Sequence, residues 1–306
     1  MRGTIGGVFF ICILLSVACS GVEVSTTKEP VREDGKVKEE KPVQKEETKV
    51  EELPELTEEE LQKKEALEEL TKRENHVLNE SDYGESNEFH EFVSGVKTRM
   101  KTDEKVIALT LDACGGENGS GYDDELIGFL DQHNIKANLF VNARWIEAQP
   151  TIFMELANNS LFTIENHGTE HRPLSTIPRS AWGIESTTSK EEIVEEIIGN
   201  QKMILEHTGK LPKHFRSGTA FYDDVSVKIA EDLGLEVVNF DILGDAGATF
   251  TADQVKDSML QASSGSIVIL HMNHPGSGTA EGVKKAVLKL LEQGFSFVHL
   301  QDYDLE

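Results

Sequence analysis

From about residue 103 to the end, short apolar runs alternate with longer stretches in which apolar residues recur every three or four positions. The runs at 106–111, 137–141, 162–164, 214–216, 236–240, 266–270 and 296–300 have the length and composition of buried strands. The stretches at 123–133, 145–158, 190–208, 223–233, 252–262 and 280–293 carry helical periodicity. Thr208-Gly209, Leu233-Gly234 and Gln293-Gly294 supply helix stops. Strand followed by helix, repeated along the chain, predicts an α/β fold with a parallel sheet and helical crossovers. Seven such strands suggest a parallel barrel of irregular closure, with an open doubly wound sheet as the alternative. No glycine-rich dinucleotide fingerprint follows the first strand, so nothing supports a nucleotide-binding sheet.

Upstream the pattern is different. Arg2 precedes a short apolar core from Val8 to Val17, too short to span a bilayer comfortably and suited to a secretory signal. It ends in Ser16-Val17-Ala18-Cys19, which resembles a bacterial lipobox, with Cys19 lipidated and the new N-terminus. Residues 20–90 are rich in Lys and Glu and read as a disordered tether, because so few apolar residues cannot offset chain entropy. Within it Thr57 is a plausible N-cap with Glu60 three residues on, and Leu61, Ala66, Leu67 and Leu70 form a thin apolar stripe. That pattern is read as transient helix in a solvated linker. About sixty flexible residues span roughly 40–45 Å on average. The expected organisation is a signal segment at 1–19, a linker at 20–90 and a catalytic domain at 91–306.

Charge and cysteine content narrow the function. A formal net charge of -25 disfavours nucleic acid and anionic lipid as partners through charge. Of the three cysteines, Cys12 leaves with the signal and Cys19 carries lipid, so Cys114 is the one thiol left and no internal disulfide can form. Cys114 has the chemistry to ligate zinc, but a strand-end cysteine is commonly a small core residue, and it is read as such.

Asp112, His167, His171, Arg216, Asp241, Asp245 and His271 all stand at or just past the ends of apolar runs. In a barrel of alternating strands and helices those ends share one face, where active sites lie. A site rich in carboxylate and imidazole points to metal-assisted hydrolysis. His167 and His171 are four apart, and on a helical turn such a pair faces one side and can chelate one cation. Asp112 needs a partner or a function at the end of a buried strand. His271 is available as a general acid, with His274 close behind it. Arg216 and one of Asp241 or Asp245 are expected to form a buried pair that tunes a carboxylate. The long connection at 172–189 holds Trp182, either a sugar-stacking aromatic at the rim or a buried packing residue.

The order Asp112, His167-x-x-x-His171, Arg216, Asp245 and Ile269-Leu270-His271 resembles the polysaccharide deacetylases, carbohydrate esterase family 4, whose last motif is Leu-x-His. The resemblance covers about 103–303. It implies a distorted barrel of seven or eight β/α units and removal of N-acetyl groups from amino sugars in a glycan such as peptidoglycan, chitin or an exopolysaccharide. It implies a divalent metal, with zinc the expectation, held by His167 and His171. Asp112 matches the catalytic base and His271 the catalytic acid. Arg216 matches the family arginine, with Asp245 chosen as its partner. The family's first motif carries a second aspartate as metal ligand where this chain has Ala113, so Asp112 is expected to be drawn into the metal shell or the site to be completed by water. The runner-up readings are a catalytically weakened glycan-binding lipoprotein on the same fold and an amidohydrolase of a small non-sugar amide.

With the lipobox resemblance, the expected location is the bacterial cell envelope, anchored through Cys19 and facing the periplasm or the outside. Cys19→Ala is therefore expected to block maturation or release the protein from membranes, measured by fractionation, because stable anchoring needs more than one acyl chain and a lipidated cysteine supplies several. Equal membrane partitioning of variant and wild type would refute the anchor.

Overall fold

The computed structural model describes residues 56–80 and 82–306. The expected signal segment and the part of the expected tether before residue 56 lie outside the described residues.

Eight strands form the main sheet: β1 (Val106–Ala113), β2 (Ala137–Val141), β3 (Phe162–Asn166), β4 (His214–Phe215), β5 (Glu236–Val237), β6 (Ile242–Leu243), β7 (Ser266–His271) and β8 (Ser296–Phe297). Their order is β6-β7-β1-β2-β3-β4-β5, with β8 paired to the start of β1, and every pairing is parallel. The helices are α1 (Glu58–Glu80), α2 (Asp124–Gln132), α3 (Ala143–Ala148), α4 (Pro150–Ala157), α5 (Lys190–Thr208), α6 (Asp224–Asp232), α7 (Ala252–Met259) and α8 (Thr279–Glu292). The two edges of the order are linked by the segment before β1. Lys97 pairs with Val238, just past β5, and Arg99 pairs with Ser266 at the start of β7. The sheet thus curls into a distorted parallel α/β barrel, as the strand pattern predicts.

Side-chain alternation along the strands builds two apolar layers. Leu109, Leu111 and Ala113 of β1, with Leu139, Val141, Val268 and Leu270, pack outward against Leu126, Trp145, Val255 and Val283 of the surrounding helices. Val106 and Ala108, with Phe140, Val238, Ile267, Ile269 and Leu300, fill the inside. The inner layer turns polar towards the strand C-termini, where Thr110, Asp112, Arg216 and His271 follow in the same alternation. The helix expected over 145–158 is two helices, broken at Gln149-Pro150, because Pro150 lacks the N–H that a continuous helix needs.

The largest departure from expectation lies at 56–80. This stretch, assigned to the tether, is a 23-residue helix packed on α5. The Thr57–Glu60 capping box is formed: Glu60 N donates to Thr57 Oγ1 at 3.2 Å, and Thr57 N donates to Glu60 Oε2 at 2.8 Å. Leu70 and Val77 are fully buried in a third apolar cluster with Ile193 and Ile197 of α5 and Ile229 of α6. Lys202 pairs with Glu74 at 2.8 Å, and Lys63 donates to the Glu206 carbonyl at 2.7 Å. Residues 82–100 continue along the barrel, with Phe89 and His90 pairing antiparallel to Asp223 and Tyr222. A mean composition hides this, because two or three well-placed apolar residues suffice when a partner face already exists.

Limited proteolysis is accordingly expected to leave α1 attached, with the shortest stable fragment starting near residue 56 rather than 90. Leu70→Ala should cost roughly 2–5 kcal/mol in urea unfolding, the usual scale for a buried leucine. An unchanged unfolding free energy after removal of 56–80 would show that α1 is not part of the folded unit.

Candidate active site

The site forms at the C-terminal ends of β1, β3, β4 and β7. Arg216 follows β4, points into the barrel and has no exposure. Its Nη1 donates to Asp112 Oδ1 at 2.7 Å and to Thr110 Oγ1 at 2.9 Å. Its Nε and Nη2 donate to the carbonyls of Val238 at 3.0 Å and Asn239 at 2.9 Å. The guanidinium carbon sits 4.3 Å from the centroid of the Phe140 ring. The partner of Arg216 is therefore Asp112, and the pairing of Arg216 with Asp245 expected from the motif order is not formed. Asp112 keeps its second oxygen free of Arg216, 3.7 Å from His167 Nε2.

His167 and His171 converge, but not on a helical turn. Residues 167–171 form a loop in which Gly168 and His171 both have positive φ, 77° and 63°. The two rings stand 5.0 Å apart, nearly perpendicular. Left-handed backbone at a histidine is costly, and Glu196 of α5 holds it. The buried Glu196 carboxylate accepts from Glu170 N at 2.9 Å and from Arg172 N at 3.2 Å. Burial pushes the Glu196 carboxyl up to about 7, although those two backbone donors oppose the rise. Gly168 makes room for this brace, since a Cβ there would lie 2.3 Å from Glu196 Oε1. Gly218 likewise lets the loop after Arg216 sit against His171, where a Cβ would meet the imidazole at 2.4 Å. His167 Nδ1 lies 2.9 Å from the Arg216 carbonyl, so it carries the proton and donates, leaving Nε2 to face the site.

Asp245 follows β6 and is fully buried beside His271 at the end of β7. It accepts from His271 N at 2.7 Å, Thr279 Oγ1 at 2.9 Å and His271 Nδ1 at 2.8 Å. Burial disfavours the His271 imidazolium, but the Asp245 charge and its hydrogen bond outweigh burial and hold the His271 pKa well above its ordinary value. His271 stands in register with Asp112 on the neighbouring strand, so the two groups are side by side.

Cys114 and Ala113 reverse the roles suggested by the motif. Strand parity turns Ala113 outward into the helix-facing apolar layer, while Cys114 shares the face of Asp112. Cys114 Sγ lies 3.8 Å from His167 Nε2. One donor atom from each of Cys114, His167 and His171 lies within 4.8 Å of the others. His171 Nε2 is buried and has no hydrogen-bond partner. Two imidazoles and a thiol are donors that suit a borderline divalent cation such as zinc, so these residues fit a metal of that class. Asp112, expected as a metal donor, stands outside this trio.

Asp241 is not in the site. It pairs with Arg99, accepts from Ser266 Oγ at 2.9 Å and from Ile267 N at 2.8 Å, and so sits at the opposite, N-terminal end of β7. Trp182 is 76% exposed on a small hairpin, with its edge on Phe221 in the loop after Arg216. His274 lines a cleft of about 570 Å³ formed by the loops that follow Cys114, Asp245 and His271. Glu196 and Thr279 carry no motif that marks them. Cys114 could have been found from the sequence by following the two-residue period of β1 one position past Ala113.

A curled parallel α/β barrel with imidazoles and carboxylates at its strand C-termini is an architecture for metal-assisted hydrolysis. Residues 99–238 match the family model for polysaccharide deacetylase. Over those residues the barrel is that of the polysaccharide deacetylases, carbohydrate esterase family 4. A peptidoglycan-N-acetylglucosamine deacetylase of Bacillus cereus is 24% identical over 179 residues, 58% of this chain and 61% of the relative. The chain thus spans less than two thirds of that curated relative. Among solved structures, a family 4 pseudoenzyme from Bacillus anthracis superposes with a TM-score of 0.58 at 22% identity, covering 69% of each chain. A family 4 acetyl xylan esterase from Clostridium thermocellum, in complex with a cobalt ion, gives 0.54 at 22% identity, covering 65% of this chain and 89% of its own. At such identities the structural likeness concerns the fold.

Arg216→Ala is expected to destabilise the domain by roughly 3–5 kcal/mol in urea unfolding, because it leaves the Asp112 carboxylate buried without its partner. Arg216→Met combined with Asp112→Asn should recover part of that loss. If Arg216→Ala unfolded at the wild-type midpoint, the barrel would not depend on the pair.

Proposed function

We propose that this protein is a metal-dependent hydrolase that removes N-acetyl groups from amino sugars of an envelope or extracellular polysaccharide. The observation that supports it most is the side-by-side placement of Asp112 and His271, each with its own fixing partner, next to the imidazole pair. His167 and His171 would hold the cation, with zinc the expected metal. A divalent cation there supplies Lewis acidity to the acetamide carbonyl and to an attacking water.

The chain's own residues do the rest. Arg216 fixes Asp112 through one oxygen. The other oxygen would take a proton from water as it adds to the acetyl carbon. Asp245 orients the His271 ring through Nδ1 and holds its charge, so the opposite nitrogen can donate a proton to the departing amine. The C–N bond breaks, the acetyl group leaves as acetate, and the sugar keeps a free amine. The exposed Trp182, stacked edgewise on Phe221, offers a face for a sugar ring at the rim. The N-terminal sequence supports placing this domain in the bacterial cell envelope, tethered through a lipidated Cys19.

Asp112→Asn is expected to abolish acetate release from N-acetylated oligosaccharides while the protein still binds metal. His271→Ala should slow turnover by roughly 10²–10⁴, the scale of a general acid, also with metal retained. The imidazolium is the active form of the acid and Asp245 raises its pKa, so activity should fall only as pH rises through that raised value. Asp245→Asn should shift this alkaline limb to lower pH. Wild-type protein that holds no metal and releases no acetate from chitin oligomers or peptidoglycan would overturn the hydrolase reading in favour of glycan binding on the same fold.

A further inference from the structure

We propose that Cys114 is the third protein ligand of the metal, so that this chain builds a thiolate–imidazole site, Cys114–His167–His171, in place of a carboxylate–imidazole one. The inference rests on the metal-dependent reading above and adds the ligand chemistry and the metal preference. The first support is strand parity. Ala113, which takes the motif position of the lost carboxylate, points into the apolar layer between sheet and helices and is fully buried there. The side chain one residue on is the first after Asp112 to face the site. The second support is the geometry of the trio, whose donor atoms lie within 4.8 Å of one another. The third comes from two imidazole atoms that have no better use. His171 Nε2 is buried without a hydrogen-bond partner. His167 is almost wholly buried, its Nδ1 is committed to the Arg216 carbonyl, and its Nε2 faces Cys114 Sγ at 3.8 Å.

The site binds metal through a deprotonated sulfur, as thiol ligands must. A soft sulfur donor selects for zinc and cobalt over the oxygen-seeking magnesium and manganese. Asp112 is thereby left to its ion pair with Arg216, free to act as a base rather than as a ligand.

The test is titration of the full chain with cobalt(II), followed by displacement with zinc, in wild type, Cys114→Ser and His167→Ala. The expected result is about one cobalt per wild-type chain with a sulfur-to-cobalt charge-transfer band, removed by zinc and untouched by magnesium or manganese. Cys114→Ser should lose the band and bind zinc at least about ten-fold more weakly, since a thiolate ligand to zinc is lost. Should that variant fail to fold, wild-type protein still decides: zinc is expected to protect Cys114 from iodoacetamide, read by mass spectrometry of its peptide. Cobalt bound through His167 without a charge-transfer band, or zinc that leaves alkylation of Cys114 unslowed, would overturn the thiolate ligand while leaving the metal-dependent hydrolase reading intact. No cobalt bound by wild type, with His167→Ala indistinguishable from it, would overturn both. Ala113→Asp is a further check: it should fail to raise zinc affinity and should destabilise the fold, because it drives a carboxylate into the apolar layer.

Discussion

The barrel closes around one buried ion pair. Arg216 has no exposure, and a guanidinium survives there only because its donors are filled by Asp112, Thr110 and two backbone carbonyls, with the Phe140 ring against its face. Those partners lie on β1, on β2 and on the chain just past β5, so one side chain ties together elements from both halves of the curled sheet. The same contacts fix which oxygen of Asp112 is left to face the site. The atoms that hold the barrel interior together are thus also the ones that position Asp112 in the candidate site.

Around that pair the site is organised by opposite electrostatics. Asp112 is faced by a guanidinium, whereas His271 is faced by the Asp245 carboxylate, which holds its proton. The two therefore have opposite electrostatic surroundings although they stand in register on adjacent strands. A separate carboxylate, Glu196, shapes the histidine loop from behind by accepting backbone N–H groups on either side of His171. It also explains why the residue after His167 is glycine here, where a larger side chain would strike the brace.

At residues 56–80 composition misleads. A Lys- and Glu-rich stretch reads as tether because its average is polar, and an isolated helix with so thin an apolar stripe is marginal in water. Helix α1 nevertheless has a formed capping box, and Leu70 and Val77 are buried against α5 and α6. The decisive quantity is not how many apolar residues a segment has but whether another element presents a face to receive them.

The alternation of apolar runs and amphipathic stretches determined the α/β barrel, the strand ends and hence the address of Asp112, His167, Arg216, Asp245 and His271 on one face. These follow from local periodicity, which backbone geometry imposes on any sequence that folds this way. The tertiary structure alone decided the partners: Arg216 took Asp112 rather than Asp245, Asp245 took His271, and Asp241 went to Arg99 at the far end of the barrel. It also brought His167 and His171 together through a left-handed loop rather than a helical turn, and placed Cys114 beside them while Ala113 faced the core. Spacing along the chain cannot encode such pairings, because they depend on strand order, on curl and on the reach of side chains across the barrel interior.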